Sequence, residues 1–314
     1  LKILVIFTGG TIGSKVTDGK ISPHRQTKYT LIENYLQGSK DDLTFDFSEP
    51  YFVLSENLSA EHLNSLTDTV KENLNKGYDG IIITHGTDSL QFSAAAVSYA
   101  VGNCKLPILF VSANYPLEDE RSNGNDNFKA AVDFIKQKIS SGVFIAYKNP
   151  REEVKFHSSL DAVTFGEADD RLESIGRKHF ANYEKEKIKI LKNPKPSESA
   201  IDFYLSPKSD ILVITAIPGD SFSYSLNGIK AIIIRAYHSG TLNTDSKYFR
   251  DFCALAQKSD IPIFVVSSTN QTPYETVDFY EELGITALCD IPFSAAYIRL
   301  WIGVSLNENL KKLF

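Results

Sequence analysis

Runs of consecutive apolar, largely β-branched residues recur along the chain: ILVIF (3–7), GIIIT (80–84), PILFVS (107–112), GVFIAY (142–147), ILVITA (211–216), AIIIRAY (231–237) and PIFVVSS (262–268). Apolar continuity, as opposed to strict alternation, marks strands covered on both faces, as in a parallel sheet between helices. Stretches with helical spacing lie between them, at 59–77, 88–103, 125–142 and 246–260. The alternation predicts an α/β chain with two doubly wound, mostly parallel sheet domains. The periodicity breaks near LKNPKPSESAID, where Pro, Ser, Lys and Asn gather, so a linker is expected over 191–204. It separates a larger N-terminal α/β domain, 1–190, from a smaller C-terminal one, 205–314, with no internal repeat or low-complexity tract in either.

Composition narrows the class without naming an activity. The chain has 314 residues, 42% hydrophobic and 23% charged, which is ordinary for a globular protein. No apolar run approaches the roughly 18 residues of a membrane span, and the first strand is too short for a signal sequence, so a cytoplasmic protein is expected. A net charge of −6 and a pI near 5.6 speak against a nucleic-acid partner, which normally meets a basic patch. Cys104, Cys253 and Cys289 are far apart and form no CxxC. They predict neither a disulfide framework nor a zinc site, and read as small side chains in or near the core. No metal or organic cofactor is expected.

The candidate chemistry lies in two turns. Open α/β sheets bind ligands outside the carboxyl ends of their strands, and FTGGTIGS (7–14) and IIITHGTDS (81–89) both occupy that end. Gly9, Gly10 and Gly86 permit positive φ and close approach of a substrate to the backbone, leaving N–H groups for an oxyanion. If strands 3–7 and 80–84 are neighbours, Thr11, Thr87 and Asp88 converge. Each also has an ordinary role: Thr87 or Asp88 as a helix cap, Thr11 as a turn residue. GGTIGS has neither GxGxxG spacing nor the Gly-Lys-Ser/Thr of a phosphate loop. A threonine hydroxyl becomes a nucleophile only when a base takes its proton. Lys155, in REEVKFHSSLDAVTF, is the candidate, since a desolvated lysine serves as a base and Asp88 would orient it; a surface lysine is the alternative.

TGGTI, THGTDS and a lysine in a K-x-H-x-x-x-x-D-A setting together resemble the bacterial-type L-asparaginases, in particular their cytoplasmic type I branch. The resemblance runs the length of the chain through SANYP, IIIRAY and LCDIPFSAAYIRLW. It implies that Thr11 is the nucleophile on a side-chain amide, and that Thr87, Lys155 and Asp88 move protons and activate Thr11 or water. Ser55, with Glu56 beside it, would bind the substrate α-carboxylate and Asp88 the α-ammonium, with Gly10 and Gly86 lining the substrate. The implied reaction turns L-asparagine into L-aspartate and ammonia through an acyl-enzyme, in a homodimer or homotetramer.

The chain also departs from that pattern. Type I enzymes carry a Tyr in the loop after the first Thr, in a Gly-Tyr-x-Pro context. Here DGKISPHRQTKYT offers Lys20 at the matching place and Tyr29 further on as possible loop activators. The final helix of the family opens Asp-Met-Thr-x-Glu-Ala, whereas Asp290 is followed by Ile291, Pro292, Phe293, Ser294 and Ala295, without the Glu. Pro292 suits a first helical turn. Glu275 is the acid nominated in the segment that completes a neighbouring protomer's site. Arg235 matches the Arg of a regulatory asparagine site in some type I enzymes, but Val154 replaces its Thr, so weakened substrate regulation is expected. Three other functions fit the same motifs: an amidase preferring glutamine or D-asparagine, a non-catalytic asparagine-binding sensor, and the amidase component of the archaeal-type tRNA amidotransferase. The last is set aside because that component normally carries an extra N-terminal domain ahead of its first strand.

Overall fold

The structure, a computed structural model, describes residues 1–25, 27–38, 42–163, 165–166, 169–193, 199–268 and 274–314. It divides into two units, Leu1–Asp202 and Phe203–Phe314. Residues 194–198, inside the expected linker, lie outside the described residues.

In the first unit β1 (Lys2–Phe7) leads into a hairpin of β2 (Ser14–Thr17) and β3 (Lys20–Pro23), then helix α1 (Thr27–Gly38) and β4 (Thr44–Ser48). There follow α2 (Ala60–Asn73), β5 (Gly80–Thr84), α3 (Leu90–Val101), β6 (Pro107–Val111), α4 (Gly124–Lys136) and β7 (Gly142–Lys148). The unit closes with β8 (Val154–Ser158), a short pair of β9 (Ala162–Val163) and β10 (Glu173–Ser174), β11 (Ala181–Glu184) and β12 (Lys187–Ile190). Eight of these strands form one sheet in the order β12-β11-β8-β7-β6-β5-β1-β4. Its β4, β1, β5, β6 and β7 run parallel. The flank of β8, β11 and β12 is antiparallel, which lets short turns replace helical crossovers.

Successive residues of the central strands serve opposite cores. Ile3, Val5 and Phe7 of β1 and Ile82 of β5 pack with Leu31 and Tyr35 of α1 and with Phe128, Ala131 and Phe134 of α4. Leu4, Ile6, Ile81 and Ile83 pack with Leu66 and Val70 of α2 and with Leu90, Ala94 and Val97 of α3. Both faces being covered is why these strands read as unbroken apolar runs, each buried Ile or Leu contributing about 1.5 to 3 kcal/mol.

The second unit comprises β13 (Ile211–Thr215), β14 (Ala231–Arg235), α5 (Lys247–Lys258), β15 (Ile263–Ser268), β16 (Ile285–Cys289) and α6 (Phe293–Ser305). Its four strands are parallel in the order β13-β14-β15-β16. Helix α5 covers one face, where Phe249, Phe252 and Cys253 meet Ile232, Ile234 and Val265. Helix α6 covers the other through Ala296 and Leu300 against Ile233, Phe264 and Val266. Cys253 is buried and Cys104 half-buried, but Cys289, at the end of the edge strand β16, is exposed, which corrects the near-core expectation for that residue. Among the described residues no helix is long and apolar enough to cross a membrane.

Candidate active site

The path of the chain decides where a ligand fits. From β1 it lays β4 on one side and then crosses to lay β5 on the other, and the crevice beyond such a reversal is where open α/β sheets take ligands. Phe7 pairs with Thr84, so the Thr11 and Thr87 turns leave adjacent strands side by side. Three segments are stitched together there. The Gly10 N–H donates to the Val53 carbonyl at 3.0 Å and the Val53 N–H to the Thr8 carbonyl at 3.1 Å. The Thr8 hydroxyl donates to the Thr84 carbonyl at 2.7 Å. The Gly10 N–H is therefore occupied and is not one of the donors left for an oxyanion.

The glycines are required by contact as well as by φ. Gly10 has φ +74°, and a Cβ there would lie 2.3 Å from the Gly86 nitrogen. A Cβ on Gly86 would lie 2.4 Å from Ser55 Oγ. Gly10, Gly86 and Ser55 thus meet without room for one more carbon. Ser55 is buried at the start of a 3-10 turn, Ser55–Asn57. Its hydroxyl donates to Asp88 Oδ2 at 3.4 Å, and its carbonyl accepts from the Ser89 hydroxyl at 2.7 Å. Ser89 is the residue ahead of α3 and makes no side-chain cap bond, so neither Thr87 nor Asp88 is used as the cap of that helix. Asp88 and Glu56 are exposed; Thr87 and Thr11 are half-buried, Thr11 opening the turn Thr11–Gly13. Neither threonine hydroxyl is hydrogen-bonded among the described residues.

Buried His85 joins the site without having been a candidate on sequence grounds. Its Nδ1–H donates to the Gly86 carbonyl at 2.8 Å, and its Nε2 accepts from the Ser93 hydroxyl at 2.8 Å. Burial pushes its pKa down to about 4, so the ring is neutral at pH 7 and ties the Gly86 peptide to α3. A single His in an apolar strand end carries no mark of this role. On the neighbouring strand ends Asn114 and Asn123 exchange hydrogen bonds, each N–H donating to the other's Oδ1 at 2.9 and 3.1 Å. Asn123 also donates to the Lys148 carbonyl at 2.8 Å, fixing the loops that follow β6 and β7.

Lys155 lies on β8, opposite Tyr147 of β7 and Asn182 of β11. Strand β8 stands three pairings from β5, a lateral distance of about 14 Å at roughly 4.8 Å per strand. The ammonium is 2.5 Å from Glu152 Oε2. That hydrogen bond, more than those from Arg171 and Asn149, holds the Glu152 carboxyl at a pKa of about 2 against the opposing effect of burial. Among the described residues no hydrogen bond or ion pair joins Lys155 to Thr87 or Asp88; the carboxylate that orients it here is Glu152. The signal for Glu152 was present as an acid three residues before the lysine in REEVK.

The remaining candidates have other surroundings. Lys20 is exposed on β3, opposite Thr17 in a hairpin whose Asp18-Gly19 turn has φ +51° and +72°, the positive pair of a two-residue hairpin turn. Tyr29, on α1, meets Phe47 edge-on at 5.9 Å. Val154 is buried in β8, Glu275 is exposed, and the Arg235 guanidinium lies 4.2 Å over the ring of Phe293. Among the described residues no three His, Cys, Asp or Glu side chains are placed to hold a metal ion.

The chain resembles known proteins along its length. L-asparaginase 1 of Escherichia coli K12 is 24% identical over 321 residues, spanning 95% of this chain and 90% of the relative. A glutamyl-tRNA(Gln) amidotransferase component of Sulfurisphaera tokodaii is also 24% identical, over 339 residues, spanning 99% of this chain and 72% of the relative. The solved thermostable L-asparaginase from Thermococcus kodakarensis superposes with a TM-score of 0.82 at 20% identity, covering 100% of this chain and 95% of that one. L-asparaginase I from Vibrio cholerae does so with a TM-score of 0.78 at 20% identity, covering 99% and 95%. Residues 2–196 match the family described as "Asparaginase, N-terminal". With well over half its length under that match, and with both threonine turns and their shared glycine contact inside it, the chain belongs to the asparaginase family.

Proposed function

We propose that the protein hydrolyses the side-chain amide of L-asparagine to L-aspartate and ammonia through an ester on Thr11. The observation that carries this reading is the meeting of Gly10, Gly86, Ser55 and Asp88 beyond β1 and β5, with Thr11 and Thr87 next to the two glycines. Thr11 Oγ attacks the amide carbon, and its proton passes through Thr87 and Lys155 to the leaving nitrogen, which departs as ammonia. Water then cleaves the ester and returns the proton to Thr11. Ser55 donates to the substrate α-carboxylate with Glu56 at the rim, and Asp88 accepts from the α-ammonium. Turn N–H groups other than that of Gly10 receive the oxyanion. Lys20 or Tyr29 activates Thr11 from the hairpin and α1, and Glu275 belongs to the face offered to a second copy in a homodimer or homotetramer.

A second reading, glutamine as the amide, is favoured by the similarity to the amidotransferase relative over 99% of the chain. One methylene changes binding by about 1 to 3 kcal/mol, so ammonia release from L-asparagine is expected to exceed that from L-glutamine about 10- to 200-fold in kcat/KM. D-asparagine places its ammonium away from Asp88 and is expected to be slower still. Ammonia measured from the three amides separately checks this. Higher kcat/KM on glutamine would install the second reading. Binding of asparagine with no ammonia from any amide would make the protein a sensor.

A further inference from the structure

One carboxylate is shared between two cations at the turn from β7 to β8. Glu152 Oε2 lies 2.5 Å from the Lys155 ammonium, while Oε1 accepts from the Arg171 guanidinium. The two segments involved are pinned to each other: the Leu172 N–H donates to Asn149 Oδ1 at 2.8 Å, and Asn149 Nδ2 donates to the Leu172 carbonyl at 3.1 Å. The Lys155 and Glu152 side chains are only 20% and 26% exposed, so water screens this pair less than a surface one.

The other charges around Lys155 are spoken for. Glu173 of β10 and Asp169 act on Arg171, the former at 3.7 Å. Lys192 is paired with buried Asp161 at 2.6 Å. His157, next but one on β8, is held neutral by burial first and by His179 and Lys155 after it, its pKa at about 3. From β7, Tyr147 is pushed up by burial, with Asp170 and Asp169 adding to that, so it too stays uncharged at pH 7. Among the described residues Glu152 is the carboxylate in contact with the Lys155 ammonium.

We infer that Glu152 is a positioning residue for Lys155. It keeps the ammonium at the β7–β8 turn, bonded to neither Thr87 nor Asp88, and Lys155 joins the proton relay only by leaving Glu152 to Arg171. The inference rests on the relay role given to Lys155 above. Arg171 is what makes the exchange feasible, because a carboxylate deprived of one cation in a half-buried site keeps the other. The shared carboxylate thereby couples the availability of the lysine to the segment carrying Arg171.

Without Glu152 the ammonium loses the group that holds it at the turn, and without Arg171 it has Glu152 to itself. In the full chain labelled with 15N-lysine, the Lys155 Nζ signal, assigned by Lys155→Arg, is expected to leave its wild-type position in Glu152→Gln. It is expected to move the opposite way in Arg171→Gln, where Glu152 serves Lys155 alone, and to stay near its wild-type position in Glu152→Asp. At unchanged KM, kcat for ammonia release rises in Glu152→Gln, which frees the lysine, and falls in Arg171→Gln. Opposite shifts from two variants of one cluster are not produced by a general loss of folding. Equal Nζ signals and equal kcat in all these proteins overturn the inference. A wild-type protein that releases no ammonia, with the opposite shifts intact, overturns the function and leaves the Glu152 restraint standing.

Discussion

Gly10→Ala is expected to destabilise the first unit by about 2 to 6 kcal/mol and to abolish amide hydrolysis in the fraction that still folds. Two costs add. A residue with a side chain at φ +74° and ψ −177° enters backbone space essentially reserved for glycine, at about 1 to 3 kcal/mol. The new Cβ would also stand 2.3 Å from the Gly86 nitrogen and 2.4 Å from its Cα, both backbone atoms with no rotamer to turn away. Forced expansion of a packed site costs about 1 to 3 kcal/mol more. Gly19→Ala separates the two terms, since Gly19 has φ +72° but nothing within 4 Å of its absent Cβ. It should lose about 1 to 2 kcal/mol and keep its activity if the hairpin only supports the site. Urea unfolding of both variants against wild type measures this. A Gly10→Ala protein no less stable than Gly19→Ala would show that the two turns do not meet as described.

Asp88→Asn is expected to lower kcat/KM for L-asparagine by about a thousand-fold, within the range for loss of a charge that both binds substrate and moves protons, while leaving the melting temperature nearly unchanged. The separation follows from position. Asp88 is exposed, does not cap α3, and among the described residues its carboxylate has a single bond, from the Ser55 hydroxyl at 3.4 Å. Such a residue contributes little to folding, so its identity is decided by what binds beside it. Thermal melts run beside the kinetics distinguish the outcomes. A melting temperature that drops several degrees with activity kept within a few-fold would return Asp88 to a structural role.

The parallel heart of the fold was legible because burial on both faces leaves a signature that needs no alignment: ILVIF, GIIIT, PILFVS and GVFIAY became adjacent strands β1, β5, β6 and β7. The antiparallel flank was not. β8 reads VKFHS, with Lys155 and His157 among apolar residues, and β12 reads KIKI at a largely exposed edge. Their strand character comes from pairing with neighbours and not from local apolarity. The segment after the first threonine reads as a loop, but it pairs as a hairpin and then enters α1. Asp18-Gly19 is its signal, a dipeptide suited to a two-residue hairpin turn.

At the site, the glycines and the convergence of the two turns followed from strand ends and from the absence of a side chain. Ser55 and Glu56 needed the family resemblance, since nothing in VLSENLS predicts that its Val53 pairs with Gly9, just beyond β1. Glu152 and His85 were missed for a different reason. Their roles are set by what a turn or a helix brings across the sheet, Arg171 to one and Ser93 to the other, and those separations carry no periodic pattern.

The central claim, a threonine-dependent amide hydrolysis at the crevice between β1 and β5, is tested most directly by the rate of ammonia release from L-asparagine by wild type and Thr11→Ala, prepared and assayed side by side. The Thr11 hydroxyl holds no structural bond among the described residues, so the variant should melt as wild type does. Loss of about a thousand-fold or more in kcat with an unchanged melting temperature is the predicted result. A Thr11→Ala protein that releases ammonia at more than about a tenth of the wild-type rate would contradict it and move the nucleophile elsewhere.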